Sequence, residues 1–136
     1  MGYDELSRIA DEARENSYCI YSNFSVGAAL LTKDGRVYKG CNIENASYPA
    51  GLCAERNAIF HAGAEGERHI KAIVIIGGAN GVITDYCPPC GVCRQVMREF
   101  CRPENLIVIM AKSPDDYIEK TLEELLPLSF GPDHLK

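Results

Sequence analysis

Lys71-Ala72-Ile73-Val74-Ile75-Ile76 is an unbroken run dominated by β-branched residues. Such a run predicts a buried central strand, apolar on both faces. Working upstream, residues 52–64 carry few helix breakers and predict a helix that closes near Gly63 and Gly66. Residues 25–32 are small and apolar, and Asp34-Gly35 separates them from a second strand at 36–43, which is a hairpin signal. Residues 4–15 place Leu6, Ile9, Ala10 and Ala13 on one helical face. Downstream, the glycines and Asn80 mark residues 77–86 as a loop, and 90–100 predict a helix stopped before Pro103. A second buried strand is expected at 106–110, a short strand at 117–118, and a helix at 121–126. Thr121 is its expected N-cap, with Glu124 completing a capping box. The tail, 129–136, is expected to be irregular. The order α-β-β-α-β-α-β-β-α predicts an α/β fold with a mixed central β-sheet covered by helices.

The chain has 136 residues, 46% of them hydrophobic and 24% charged. Residues 1–136 therefore fit a single domain able to bury a core without staples. A net charge of −5, with 14 scattered basic residues, argues against nucleic acid as a partner, since phosphate recognition needs a cationic surplus. No signal-peptide core and no stretch long enough to span a bilayer is visible, so the expected location is cytoplasmic, with no membrane partner. The sequons Asn23-Phe24-Ser25 and Asn45-Ala46-Ser47 are then chance matches. Seven cysteines, an odd number, in a reducing compartment point to metal or catalysis rather than disulfides.

Cys90-Gly91-Val92-Cys93 opens a predicted helix, so both sulfurs lie on its first turn. Free N–H groups and the positive end of the helix favour thiolate there. Cys53-Ala54-Glu55 opens another helix after the loop 48–51. Two helix starts aimed at one zinc ion offer three sulfur ligands and leave a fourth position for water, the pattern of a catalytic site. Glu55 lies two residues beyond Cys53, near such a metal without being a ligand.

Cys-Ala-Glu followed by Pro-Cys-x-x-Cys resembles the signature of the zinc-dependent cytidine deaminases. The likeness extends over residues 18–130. It includes Phe24-Ser25-Val26-Gly27-Ala28-Ala29-Leu30, Gly40-Cys41-Asn42-Ile43-Glu44-Asn45-Ala46, the run from Cys90 to Gln95, and Glu124-Leu125-Leu126-Pro127. These stretches are similar to the small deaminases of free nucleosides. The resemblance implies a three-layer αβα fold and one Zn2+ per subunit on Cys53, Cys90 and Cys93. It implies hydrolytic deamination of cytidine and 2'-deoxycytidine in pyrimidine salvage, with zinc-bound hydroxide attacking C4 and Glu55 shuttling protons. It further implies that Asn42 and Glu44 bind the ribose, Phe24 stacks on the pyrimidine, and the Ala54 N–H marks the base carbonyl. Arg56 would offset the charge of the cysteine ligands. Tyr48 and Phe130 would reach the active site of a neighbouring subunit in a homotetramer.

Other readings stand beside these. Cys87 with the other three cysteines could close a four-sulfur structural zinc site in a protein that only binds a partner, although Pro88-Pro89 restricts its folding back. Glu55 alone reads as a solvated helix residue, Arg56 as half of a surface ion pair, Phe24 and Phe130 as core, and Asn42 and Glu44 as a polar strand rim. Pro88 and Val92 depart from the family pattern, which raises a preference for modified or N4-substituted cytosine nucleosides. Cys19, Cys41 and Cys101 are expected to be small buried hydrophobes, and His61, His69 and His134 to have no chemical role.

Overall fold

The computed structural model describes residues 2–136. Helix α1 (Tyr3–Arg14) carries Asp4 and Glu5 in its first turn and Arg14 in its last, each sign opposite to the nearby end of the helix dipole. Strands β1 (Phe24–Thr32) and β2 (Val37–Cys41) form an antiparallel hairpin, and Gly35 takes the positive φ of 88° that its turn requires. Helix α2 (Ala54–Ala64) leads to β3 (Ile70–Ala79), then α3 (Gly91–Glu99), β4 (Ile107–Ser113), β5 (Asp116–Thr121) and α4 (Leu122–Leu125). The expected capping box is present: Thr121 Oγ1 accepts from Glu124 N and the Glu124 carboxylate accepts from Thr121 N.

The five strands form one sheet in the order β2-β1-β3-β4-β5. Only β3 and β4 run parallel, so the sheet is mixed. The pleat sends Ala72, Val74 and Ile76 to one face, where they pack with Leu6 and Ala10 of α1. Ile73 and Ile75 go to the other face and meet Ala58 and Ile59 of α2 and Met97 of α3. Burying an isoleucine completely is worth roughly 1.5–3 kcal/mol, so the run that reads as a central strand is the principal anchor of both layers. Three layers result, with α1 on one side of the sheet and α2 and α3 on the other.

Four expectations are corrected. Strand β3 continues through Gly77 and Gly78 to Ala79 instead of ending before a loop, because those glycines pair with Val26 and Ser25 of β1. A Cβ on Gly78 would collide with the Val82 carbonyl, so this glycine serves close backbone packing rather than a turn. Strand β2 stops at Cys41, and Ile43 makes only isolated bridges to Tyr18 and Leu52. The tail contains a 3-10 turn, Pro132–His134, and a similar turn, Tyr48–Ala50, precedes α2. Of the three cysteines expected to be buried, only Cys41 is; Cys19 and Cys101 are half-buried, and the Cys101 thiol donates to the Met97 carbonyl at 3.1 Å.

Candidate metal centre and nucleoside cleft

Cys53 and Cys90 occupy equivalent places, each the N-cap of a helix with extended backbone angles. Cys93 lies one turn into α3 and is fully buried. The Cys90 sulfur accepts from Cys93 N at 3.4 Å and so caps its own helix. Sulfur separations are 3.9 Å for Cys53–Cys90 and 3.4 Å for Cys90–Cys93, and all three sulfurs lie within 4.8 Å of one another. A tetrahedral zinc with bonds of ~2.3 Å to sulfur has sulfur–sulfur edges of about 3.8 Å, so this spacing fits the ion. None of the three is in a disulfide. The donor set is soft and leaves room for one further ligand.

The electrostatics favour the same use. A hydrogen bond from Cys93 and the Arg56 guanidinium lower the Cys53 thiol to about 5, while that bond and burial push the Cys93 thiol up. Arg56 Nη2 reaches the Cys53 sulfur at 3.3 Å, and its Nε is buried without a hydrogen-bond partner. Arg56 is therefore committed to the sulfur site, which overturns its surface ion-pair reading. Glu55 is 4% exposed, in the first turn of α2. Burial, with a contribution from the Cys53 charge, pushes its carboxyl up to about 7. The solvated reading of Glu55 is thus excluded. Cys87 is half-buried, and its sulfur is not a member of the three-sulfur group among the described residues. Burial pushes its thiol up to about 12.

The second part of the site is a cleft of about 310 Å3 lined by Tyr21, Ser22, Glu44, Asn45, Tyr48 and Gly51. Gly51 is two residues before Cys53, so one short segment links the lining of the cleft to the sulfur cluster. Glu44 Oε1 accepts from the backbone N–H groups of Tyr21 and Ser22 at 3.0 and 3.1 Å, and Oε2 accepts from Ser22 Oγ. The Ser22 hydroxyl holds this carboxyl below the usual carboxylate range. Asn42 is nearly buried, and its amide bridges β1: Nδ2 donates to the Phe24 carbonyl at 2.8 Å and Oδ1 accepts from Val26 N at 2.9 Å. Phe24 is 38% exposed at the start of β1, and Tyr48 and Phe130 are exposed, so none of the three is a core residue. Ala54 is fully buried as the first residue of α2, where its N–H has no acceptor within the helix.

Sequence reading missed Tyr21 and Ser22, which carry no motif and reach Glu44 only by the fold of residues 18–23. His61 packs edge-on against Tyr38 and has no place in the site. Pro89 is buried, whereas Pro88 and Val92 are exposed.

A mixed sheet that gathers three cysteine sulfurs at two helix starts, with a cleft lined in part by the segment before Cys53, defines an α/β protein with a metal-binding site. The chain belongs to the cytidine and deoxycytidylate deaminase zinc-binding family, whose model matches residues 2–110. A cytidine deaminase of Halalkalibacterium halodurans is 48% identical over 135 residues, covering 99% of this chain and 98% of that protein. One of Sporosarcina psychrophila is 42% identical over 99% of this chain and 96% of its own length. The crystal structure of cytidine deaminase from Burkholderia pseudomallei superposes with a TM-score of 0.86 at 44% identity, covering 96% of this chain and all of that one. Family and donor set agree that zinc is the metal. Among the described residues no helix is long and apolar enough to cross a membrane.

Proposed function

We propose that this chain hydrolyses cytidine and 2'-deoxycytidine to the uracil nucleosides and ammonia. The observation that carries the reading is the buried Glu55 in the same first turn as the Cys53 sulfur, beside Cys90 and Cys93. Cys53, Cys90 and Cys93 hold the metal. When bound, zinc supplies the Lewis acidity that makes water nucleophilic at neutral pH. Glu55 takes a proton from the attacking water and passes it to N3 of the cytosine, which makes C4 electrophilic. Once the water oxygen has bonded to C4, Glu55 takes the remaining proton from that hydroxyl and places it on the amino nitrogen; the C4–N bond then breaks, ammonia leaves and the C4 carbonyl of the uracil forms. Arg56 offsets the negative charge of the thiolates from its 3.3 Å contact with Cys53.

Glu44, fixed by three hydrogen bonds, accepts from a ribose hydroxyl. Asn42 has spent one donor and one acceptor position on β1, which leaves one of each for the sugar and makes it the brace of Phe24 as well. Phe24 stacks on the pyrimidine, and the free Ala54 N–H receives its carbonyl oxygen. Tyr48 and Phe130 extend from one subunit to the pocket of another in a homotetramer, consistent with their exposure. The protein is read as one cytoplasmic domain acting in pyrimidine salvage. The test is Glu55→Gln with cytidine as substrate: the variant keeps its zinc and its melting temperature but loses about a thousandfold or more in kcat. A variant with near-normal turnover would remove Glu55 from the mechanism.

A further inference from the structure

Helix α3 holds the sulfur cluster at one end and the C-terminal tail at the other. Its Arg94 donates to the carbonyls of Pro89 at 2.8 Å and Leu125 at 2.6 Å. Its Gln95 donates to the Phe130 carbonyl at 2.8 Å. Its Arg98 is only 8% exposed, an unusual depth for a guanidinium. Arg98 Nε donates to Ser129 Oγ at 2.8 Å and Nη2 pairs with Asp133 at 2.6 Å. Gly131 lies so close over the guanidinium that a Cβ there would collide with it. Phe130 thus sits inside a segment that Arg98 holds at both ends, at Ser129 and Asp133, while the Gly131 N–H donates to His134 Nδ1 at 3.0 Å. Its ring is 58% exposed and, among the described residues, stacks on His134 alone, at 5.2 Å. Leu128, just upstream, is fully exposed with a φ of 53°, a conformation costly for a leucine and held only if the flanking chain is pinned. The buried cation fixes the segment, the absence of a side chain at Gly131 lets it approach, and the costly Leu128 conformation is held by that fixing, although the segment contributes little to the core.

We propose that Arg98 is a positioning residue for substrate binding, clamping residues 129–133 so that the Phe130 ring is presented to the nucleoside pocket of a neighbouring subunit. This inference rests on the role proposed above for Phe130. Arg98 touches no substrate itself. A clamp that prepares a binding contact without entering the chemistry affects KM and leaves kcat.

The experiment measures KM and kcat for cytidine in Arg98→Met, Phe130→Ala and the double variant, with zinc content and melting temperature for each. Both single variants are expected to raise KM about five- to tenfold with kcat within about twofold and zinc retained. The double variant is expected to match Phe130→Ala, since an absent ring cannot be positioned. Asp133→Asn, which alters an exposed partner of the clamp, gives the same change in smaller measure and serves if Arg98→Met does not fold. If Phe130→Ala leaves KM unchanged, the role of Phe130 itself fails. If Phe130→Ala raises KM but Arg98→Met and Asp133→Asn do not, or if the effects in the double variant add, the positioning role of Arg98 fails. A fall in melting temperature with unchanged KM also overturns it, by showing a structural role alone.

Discussion

Cys87 and Cys90 are three positions apart and have opposite surroundings. Cys90 is exposed, caps α3 and lies within bonding geometry of a shared metal, whereas Cys87 sits against the apolar cluster under α2 with its thiol pushed up to about 12 by burial. Replacing Cys87 with alanine is therefore expected to leave zinc content at one per chain and turnover within about twofold, as metal analysis and a deamination assay would show. Loss of zinc in that variant would restore the four-sulfur alternative. Arg56 is the converse case, a cation that touches a ligand. Arg56→Gln is expected to keep zinc but lower kcat about ten- to hundredfold, the usual size of effect for groups supporting a metal ligand. A kcat equal to that of the parent would return Arg56 to a merely structural place. At this scale the chemistry was legible because two short motifs carry it. The exclusion of Cys87 was legible in part, through the restriction that Pro88-Pro89 places on its folding back, and the geometry of the sulfur group completes it. Not legible was the bracing of β1 by Asn42, whose amide bonds the Phe24 and Val26 backbone in a way no local pattern encodes.

The site depends on two helix starts being held against the sheet. Gly40 of β2 lies directly under α2: a Cβ there would meet Ala58 N at 2.5 Å, Ala54 O at 2.7 Å and the Asn57 Cβ at 2.9 Å. Two of these atoms are backbone and cannot swing aside. Gly40→Ala is expected to destabilise the fold by about 1–3 kcal/mol and to lower kcat through displacement of Cys53 and Glu55. Thermal unfolding and kinetics on the same sample would check both; an unchanged melting temperature would mean that α2 can move off the sheet freely. Element identities were readable from period and caps, as with the Thr121 capping box and the Asp34-Gly35 turn. The extent of β3 was not. Gly77 and Gly78 signal a turn in isolation, and only the nine-residue pairing of β1 with β3 shows that they allow close approach instead. Strand lengths of this kind are set by tertiary partners and not by local propensity.

Across the whole molecule the net charge is −5 and the basic residues are dispersed, which suits a small neutral substrate better than a polyanion. A central strand apolar on both faces, covered by helices, was legible in residues 71–76 and the order of elements; the three-layer arrangement itself came from the resemblance, and the alternation of Ile73 and Ile75 against Ala72, Val74 and Ile76 accounts for it. The assembly was visible only through family resemblance. Ile20, Tyr48, Leu128 and Phe130 are large apolar residues left well exposed by a single subunit, a surface suited to the tetramer proposed above. Sedimentation equilibrium is expected to give four times the 15.0 kDa chain mass, and a monomer would remove Tyr48 and Phe130 from any shared pocket. The central claim is that three thiolates and one buried carboxyl make a zinc-dependent nucleoside deaminase. It is tested most directly by following the ultraviolet absorbance of cytidine, with ammonia release measured in parallel, before chelation, after removal of zinc and after its return. The account predicts loss of absorbance matched mole for mole by ammonia, abolished on chelation and restored by zinc; turnover that survives complete removal of zinc, or none with the zinc-loaded protein, would contradict it.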